Sequence, residues 1–281
     1  MTVLDHTGHF IADEPAARRA LEALGFAVTP VSVQSVPDPE TGGRKPTGTG
    51  NICVMLEEGY LELLLHTADT ELGREFRATL ARRAGLHLLA FGEADAEARH
   101  AALSAAGFAM RPLARFARPV ETETGEIMAR FTVARLERDA MPEGRVQFAT
   151  HHTPEALWQP RWMAHPNGAR ALRAALIAAP DPDAAAARYA ALLGRPVVAG
   201  RIELERGALE FMGEGEAATL AGAQVDPGRS ALAGLRIAVA DLADMERRAA
   251  ACGLPSRRMG DALAVPFDPA LGGGFWLFEA G

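Results

Sequence analysis

The sequence has a single lysine, Lys45, two cysteines and two tyrosines among 281 residues. With basic positions filled almost entirely by arginine beside many alanines, the lysine deficit points to a GC-rich coding sequence, and no function follows from it. Cys53 and Cys252 lie in opposite halves, without the close spacing of a redox pair or a thiolate metal site. Both are therefore expected to be reduced, which places the protein in the cytoplasm. No apolar run approaches the roughly 20 residues of a membrane span, and the opening Met1-Thr2-Val3-Leu4-Asp5 has no basic stretch followed by an apolar one. Neither membrane insertion nor secretion is expected. A formal net charge of −7 leaves no basic field to displace counterions from phosphates, so nucleic acid is excluded as a partner.

What is present is enough apolar material, 48% of residues, for two cores of ordinary size. The chain is also internally repeated. Residues 4–26 pass from Leu-Asp-His6 through a strand-like run to Ile11, an acidic break at Asp13-Glu14-Pro15, and a helical stretch ending at Gly25-Phe26. Residues 85–108 repeat that order, from Gly-Leu-His87 through a run to Phe91 and a helix ending at Gly107-Phe108. The histidine-to-glycine interval is 19 residues in the first block and 20 in the second. Both helices stop at a glycine suited to the left-handed position after a helix. Strand-like segments follow each in the same order, giving two βαβββ blocks.

A fainter third block runs from Ala174 to Met212 and a fourth from Leu235 to Phe278. Between the pairs lies a stretch rich in breakers and aromatics, with Trp158, Trp162 and His165-Pro-Asn-Gly168. The expected organisation is an N-terminal domain at 1–151, a linker at 152–169 and a degenerate C-terminal domain at 170–281. The two linker tryptophans predict packing against a domain face rather than a loose tether. The Pro/Gly-rich residues 37–50 predict a mobile loop over the concavity.

Residues two apart on a strand share a face. This puts Leu4, His6, Gly8 and Phe10 together, likewise Tyr60, Glu62, Leu64 and His66; in the second block it groups His87, Leu89 and Phe91, and Arg145, Gln147, Ala149 and His151. If the blocks pair about a pseudo-twofold axis, His6, Glu62, His87 and Gln147 converge in one hollow. Two imidazoles, a carboxylate and an amide oxygen suit a divalent ion such as Ni, Co, Fe, Mn or Zn. A carboxylate beside that ion takes a proton from carbon next to a carbonyl, because the metal stabilises the enediolate. Tyr60, Phe10 and Phe91 are the expected pocket walls. His66 and His151, four residues beyond Glu62 and Gln147, are about 13 Å along the strand and are assigned to the pocket mouth or surface. His9 is assigned a structural role on the opposite face, and His152 and His165 are read as hydrogen-bonded loop residues.

The paired blocks, the strand histidines, "GTGN" at 48–51, "YLELL" at 60–64, "HTPEALW" and "HPNGA" at 165–169 together resemble the vicinal-oxygen-chelate (VOC) superfamily, and within it the bacterial glyoxalase-like proteins. The resemblance covers nearly the whole chain. It implies an α+β fold of two tandem VOC domains, each a curved mixed sheet of two paired βαβββ modules with helices outside. It also implies metal ligands from the first and fourth strands of paired modules, which here are His6, Glu62, His87 and Gln147, with Glu62 as proton acceptor. Gln147 stands where bacterial glyoxalase I carries a second glutamate. The leading expectation is a metal-dependent lyase or isomerase acting on a small vicinal-oxygen substrate, as monomer or homodimer. One alternative is an extradiol-type Fe(II) dioxygenase using His6, His87 and Glu62. Another is a non-catalytic protein that sequesters a small molecule. In the C-terminal half the corresponding first-strand positions are Ala175 and Gly234, so no metal is expected there, and Trp276 and Phe278 are candidates for lining an apolar ligand site.

Overall fold

In the computed structural model, residues 1–221 and 228–281 are described. The first block comprises β1 (Val3–Phe10), α1 (Glu14–Ala23), β2 (Ser32–Pro37), β3 (Arg44–Met55) and β4 (Tyr60–His66). Helix α2 (Glu71–Leu80) leads to the second block: β5 (Gly85–Gly92), α3 (Ala96–Ala105), β6 (Ala114–Thr122), β7 (Gly125–Arg135) and β8 (Arg145–His151). Two single-turn helices, α4 (Pro154–Leu157) and α5 (Pro160–Met163), occupy the connecting stretch. The third block is β9 (Ala171–Ala179), α6 (Pro182–Leu193), β10 (Arg201–Glu203) and β11 (Ala208–Gly213), followed by α7 (Glu214–Ala221). The fourth is β12 (Ala231–Val239), α8 (Leu242–Ala251), β13 (Arg257–Met259), β14 (Ala262–Pro266) and β15 (Phe275–Ala280).

One pair of local signals makes all four strand-to-helix transitions. Asp13, Asp95, Asp181 and Asp241 each accept a first-turn backbone N–H with the side chain, satisfying a donor that the helix itself leaves unpaired. Gly25, Gly107, Gly194 and Gly253 each follow the last turn with positive φ, where a Cβ is disfavoured. The repeat is thus written in caps as well as in hydrophobic pattern.

The first two blocks form a closed eight-stranded barrel in the order β1-β4-β3-β2-β6-β7-β8-β5. Closure between β2 and β6 rests on one bridge pair, Ser35 with Ala117, reinforced by hydroxyl bonds from Ser35 to Ala117 O and from Ser32 to Pro119 O. The last two blocks form an open seven-stranded sheet, β10-β11-β9-β12-β15-β14-β13. This is the α+β architecture of VOC proteins, with helices outside the sheets. Its two halves share a continuous apolar core that includes Leu4, Phe26, Phe91, Ile177, Leu235 and Trp276. Backbone bonds from Leu4 to Arg206 and between Glu58 and residues 170 and 172 join their edges.

Three segments differ from the sequence expectations. Residues 44–50 belong to strand β3, and the turn at 38–43 is closed by Asp38 N–H bonding Gly43 O and Gly42 N–H bonding Asp38 O, so the expected loop over the hollow is a hairpin. Helix α2 was not signalled. It docks on β3 at Gly48, where φ is +88° and a Cβ would collide with Thr70 Oγ1 and lie 2.6 Å from Ala68 O. In the C-terminal sheet, α7 packs Ala217 and Leu220 onto Leu176, Met212, Phe275 and Leu277, so the concave face is filled by the chain itself. Trp276 and Phe278 lie on the other face, fully buried against Phe26 and each other, so they pack in the core instead of presenting an apolar site.

His9, in β1, is buried on the outer face of the barrel against Trp276 of the second sheet and Phe267 of the loop after β14, and neither ring nitrogen is hydrogen-bonded. Burial, reinforced by the charges of His87 and Arg83, pushes its pKa down to about 3. The folded state therefore holds a neutral ring where the unfolded chain is protonated below about pH 6.5. Stability present above that pH is lost as pH falls towards 3, by up to about 1.4 kcal/mol per pH unit for this group. His9→Leu is expected to flatten the fall of the urea midpoint between pH 6.5 and 4. Equal slopes in the two proteins would contradict this assignment.

Candidate active site

The interior of the barrel is divided along its length. At one end Cys53, Met55, Tyr60, Ala129 and Leu157 form an apolar plug, against which Trp158 of the connecting stretch packs edge-on to Tyr60 and His151. His165 fastens the same stretch to the barrel, accepting from Ala27 N–H and donating to Met55 O. Above the plug lies a cavity of about 120 Å³, roofed towards α2 by Leu72 and Phe76. At roughly 10–15 Å³ per water position, that admits a small substrate of about ten heavy atoms.

The polar residues in this cavity are arranged by an irregularity in β1. The pairing of β1 with β5 skips a residue between Leu4 and His6, leaving Asp5 bulged. The bulge sends Leu4 to the outer core and lets both Asp5 and His6 reach the interior cluster. His6 Nδ1 donates to Asp5 Oδ2 at 2.6 Å, and His151 Nε2 donates to the same oxygen at 2.9 Å. Burial alone raises the Asp5 carboxyl pKa, but the charge of His151 and hydrogen bonds from His151 and His6 overcome it, holding the group well below the usual carboxylate range. Tyr60 stacks on His6 with ring centroids 4.4 Å apart. Its phenol is kept protonated by burial and by the neighbouring Asp5 and Glu62 charges.

With Nδ1 bonded to a carboxylate, the His6 lone pair at Nε2 faces the cavity. There it meets the Gln147 amide at 3.3 Å and Glu62 Oε2 at 3.8 Å. Glu62 Oε1 accepts from Asn51 at 2.5 Å and from Gln34 at 3.1 Å, and Gln34 in turn accepts from Thr49. Glu62 is therefore oriented through one oxygen, with the other turned to His6. The Gln147 amide N–H donates to Nε2, and with Glu62 Oε2 3.8 Å away the three groups bring two acceptors close enough for a proton or a metal cation to be shared between them. Asn51 Oδ1, buried beside them, has no hydrogen-bond partner.

Of the residues singled out by sequence, His6, Glu62 and Gln147 come together, and Tyr60 and Phe10 line the cavity. His87 does not join them. Its Nε2 donates to Arg83 O at 2.7 Å, its ring packs behind Phe10 at a second irregularity of the β1–β5 pairing, and Leu88 lines the cavity instead. The reason is register: β5 pairs Ala90 with both His6 and Gln147, so Leu88 and Ala90 face inward. The interval of 20 rather than 19 residues before the terminal glycine had placed His87 one position off, and a one-residue slip reverses every side chain. Phe91 is outside for the same reason, packed on Phe148. The facial set of His6, His87 and Glu62 is accordingly not assembled. His151, assigned by strand distance to the mouth or surface, is instead part of the cluster, because Asp5 bridges to it. Asp5 itself was missed, since strict alternation puts it on the other face and a bulge leaves no mark in the residue pattern. Asp5, His6 and His151 offer ligand atoms within 4.8 Å of one another, a group capable of holding a metal ion.

Residues 4–193 match the family model of the glyoxalase-like domain, and the chain belongs to that family. Among curated proteins, none matches the sequence. Solved structures share the fold. A hypothetical protein from Staphylococcus aureus aligns over 100% of both chains at 10% identity and TM-score 0.66. A mutant of 4-hydroxymandelate synthase from Streptomyces coelicolor aligns over 100% of this chain and 93% of its own at 13% identity and TM-score 0.56. No helix among the described residues is long and apolar enough to cross a membrane.

Asp5→Asn removes a buried charge that two imidazoles share and is expected to cost about 3–5 kcal/mol at pH 7. Because the Asp5 pKa is depressed, its contribution is present above the unfolded carboxylate value near pH 3.9 and is lost as pH falls below it. The gap between wild type and variant in urea unfolding should therefore close on acidification. An unchanged midpoint at pH 7 would contradict the bridging role.

Proposed function

We propose that the barrel cavity is the active site of a metal-dependent, glyoxalase-like lyase or isomerase that moves a proton on a small substrate carrying neighbouring oxygens. The observation that carries this reading is the neighbouring pair of His6 Nε2 and Glu62 Oε2, 3.8 Å apart in the barrel cavity, with each residue held from behind by a separate polar partner. A divalent ion of the Ni, Co, Zn, Mn or Fe class fits His6 Nε2, Glu62 and Gln147 as donors, and when bound it would stabilise negative charge on substrate oxygen. Leu88, in the place expected for His87, leaves that side apolar.

The chain's own groups account for the rest. Glu62 Oε2, the oxygen free of Asn51 and Gln34, takes the proton from carbon beside the carbonyl. Asp5 keeps His6 in the tautomer that presents Nε2. The Gln147 amide hydrogen-bonds the oxygen on which charge develops. Tyr60 and the plug beneath it keep water from entering at that end. In this reading residues 1–151 carry the chemistry and 170–281 support the barrel from outside.

A second reading, oxygen chemistry on ferrous iron, has its own observation: Asp5, His6 and His151 are two histidines and one carboxylate. Metal analysis after reconstitution separates the two. Proton-transfer chemistry at the cavity face predicts about one equivalent of metal in wild type and in His87→Ala, and at least tenfold less occupancy in His6→Ala and Glu62→Ala. Metal lost in His151→Ala but retained in Glu62→Ala would favour the iron site. If wild type takes up no metal, or if His6→Ala and Glu62→Ala bind it normally, the leading reading is wrong. With metal bound, Glu62→Gln should slow solvent deuterium exchange into α-hydroxycarbonyl compounds by about 10²–10⁴.

A further inference from the structure

The cavity wall is far more basic than the protein as a whole. In a chain of net charge −7, its described lining includes Arg111, Arg118, Arg135, Arg138 and Arg145, against the single carboxylate Glu62. Arg118 lies deep, beside Cys53, and the other four gather where β7 ends and β8 begins, beneath α2. Their compensation is incomplete. Glu75 of α2 serves both Arg111 and Arg138, and the exposed Glu137 lies within Coulombic range of Arg135. Arg145 has no ion pair among the described residues; its guanidinium stacks on Phe10 and donates to Thr79 Oγ1. Arg135 stacks on Phe116 and donates to Pro112 O, while its Nε has no partner.

Crowded, half-buried guanidiniums repel one another. Burial and then the charges of Arg138, Arg111 and Arg135 push Arg145 down to about 10, and burial with Arg111 does the same to Arg135. Such a cluster destabilises the empty fold, and a bound anion would reverse the cost. Its planar donors suit the oxygens of a phosphate or carboxylate. Arg145 is two residues along the same face of β8 from Gln147, a separation of about 7 Å.

We infer that Arg145, Arg135, Arg111 and Arg138 form an anion subsite, and that the substrate carries a phosphate or carboxylate on the side of its reacting carbon that faces α2. That placement on the substrate rests on the proton-transfer reading; the binding of an anion does not.

The test is calorimetric titration of the purified protein, at low ionic strength, with inorganic phosphate and separately with succinate. Binding of either ion to wild type, weakened about tenfold or more in Arg145→Gln and in Arg135→Gln but unchanged in the exposed Arg247→Gln, supports the subsite. The tighter ion names the anionic group. No binding of either ion, or binding indifferent to both substitutions, overturns the inference. Thermal melting without anion should show Arg145→Gln no less stable than wild type, since it relieves repulsion. Should that variant fail to fold, Arg135→Gln carries the measurement. Glu62→Gln, which removes the proposed proton acceptor and a negative charge from the lining, is expected to bind phosphate at least as tightly as wild type, so loss of one reading leaves the other standing.

Discussion

A buried carboxylate placed by a strand bulge governs the geometry of the cavity. Asp5 lies inside the barrel only because β1 carries one residue more than its partner at that point. Once inside, its charge requires hydrogen-bond donors, and it obtains them from two rings, His6 and His151, drawn from opposite modules. That requirement selects which nitrogen of His6 faces the cavity. It also ties the first strand of one block to the last strand of the other, across the pseudo-twofold axis. Tyr60, Glu62 and Gln147 are then arranged around an imidazole whose orientation is no longer free.

The C-terminal half shows what the same framework becomes without that charge. The pairing of β12 with β9 carries the same irregularity, between Leu232 and Gly234, so Ala233 and Gly234 stand where Asp5 and His6 stand in the barrel. On that face α7 covers part of the sheet with apolar contacts, and the polar groups beside it, Glu210, Arg236 and Glu279, are consumed in ion pairs. Glu210, the one acidic residue that parallels Glu62, is taken up in ion pairs with Arg201 and Arg236. Duplication preserved the caps, glycines and bulge of the module, but the polar groups differ: mutually paired ions in the C-terminal sheet, a bridged carboxylate beside a cavity in the barrel.

The cavity also joins two electrostatic regimes within one small volume. Its deep end concentrates acidic and acceptor groups under an apolar plug; its outer end concentrates guanidiniums under an amphipathic helix. Both arrangements cost folding free energy, and the continuous core shared by the two sheets is the large favourable term that sustains them.

The sequence by itself determined the module. Helix starts at Asp13 and Asp95, stops at Gly25 and Gly107, the order of strands and the duplication all follow from local signals that act over a few residues. It also brought His6, Glu62, Gln147, Tyr60 and Phe10 to one hollow, because the period of two along a regular strand is a local property. Register between strands is not local. Whether His87 or Leu88 faces inward depends on which residue of β5 sits opposite His6, and that is settled by the packing of the whole barrel, with β1 slipping by one at Asp5. The entry of Asp5 and His151 into the cluster, the covering of the second sheet by α7, and the meeting of arginines from β7, β8 and two loops were decided only by tertiary structure, since each depends on residues far apart in the chain being forced to share one space.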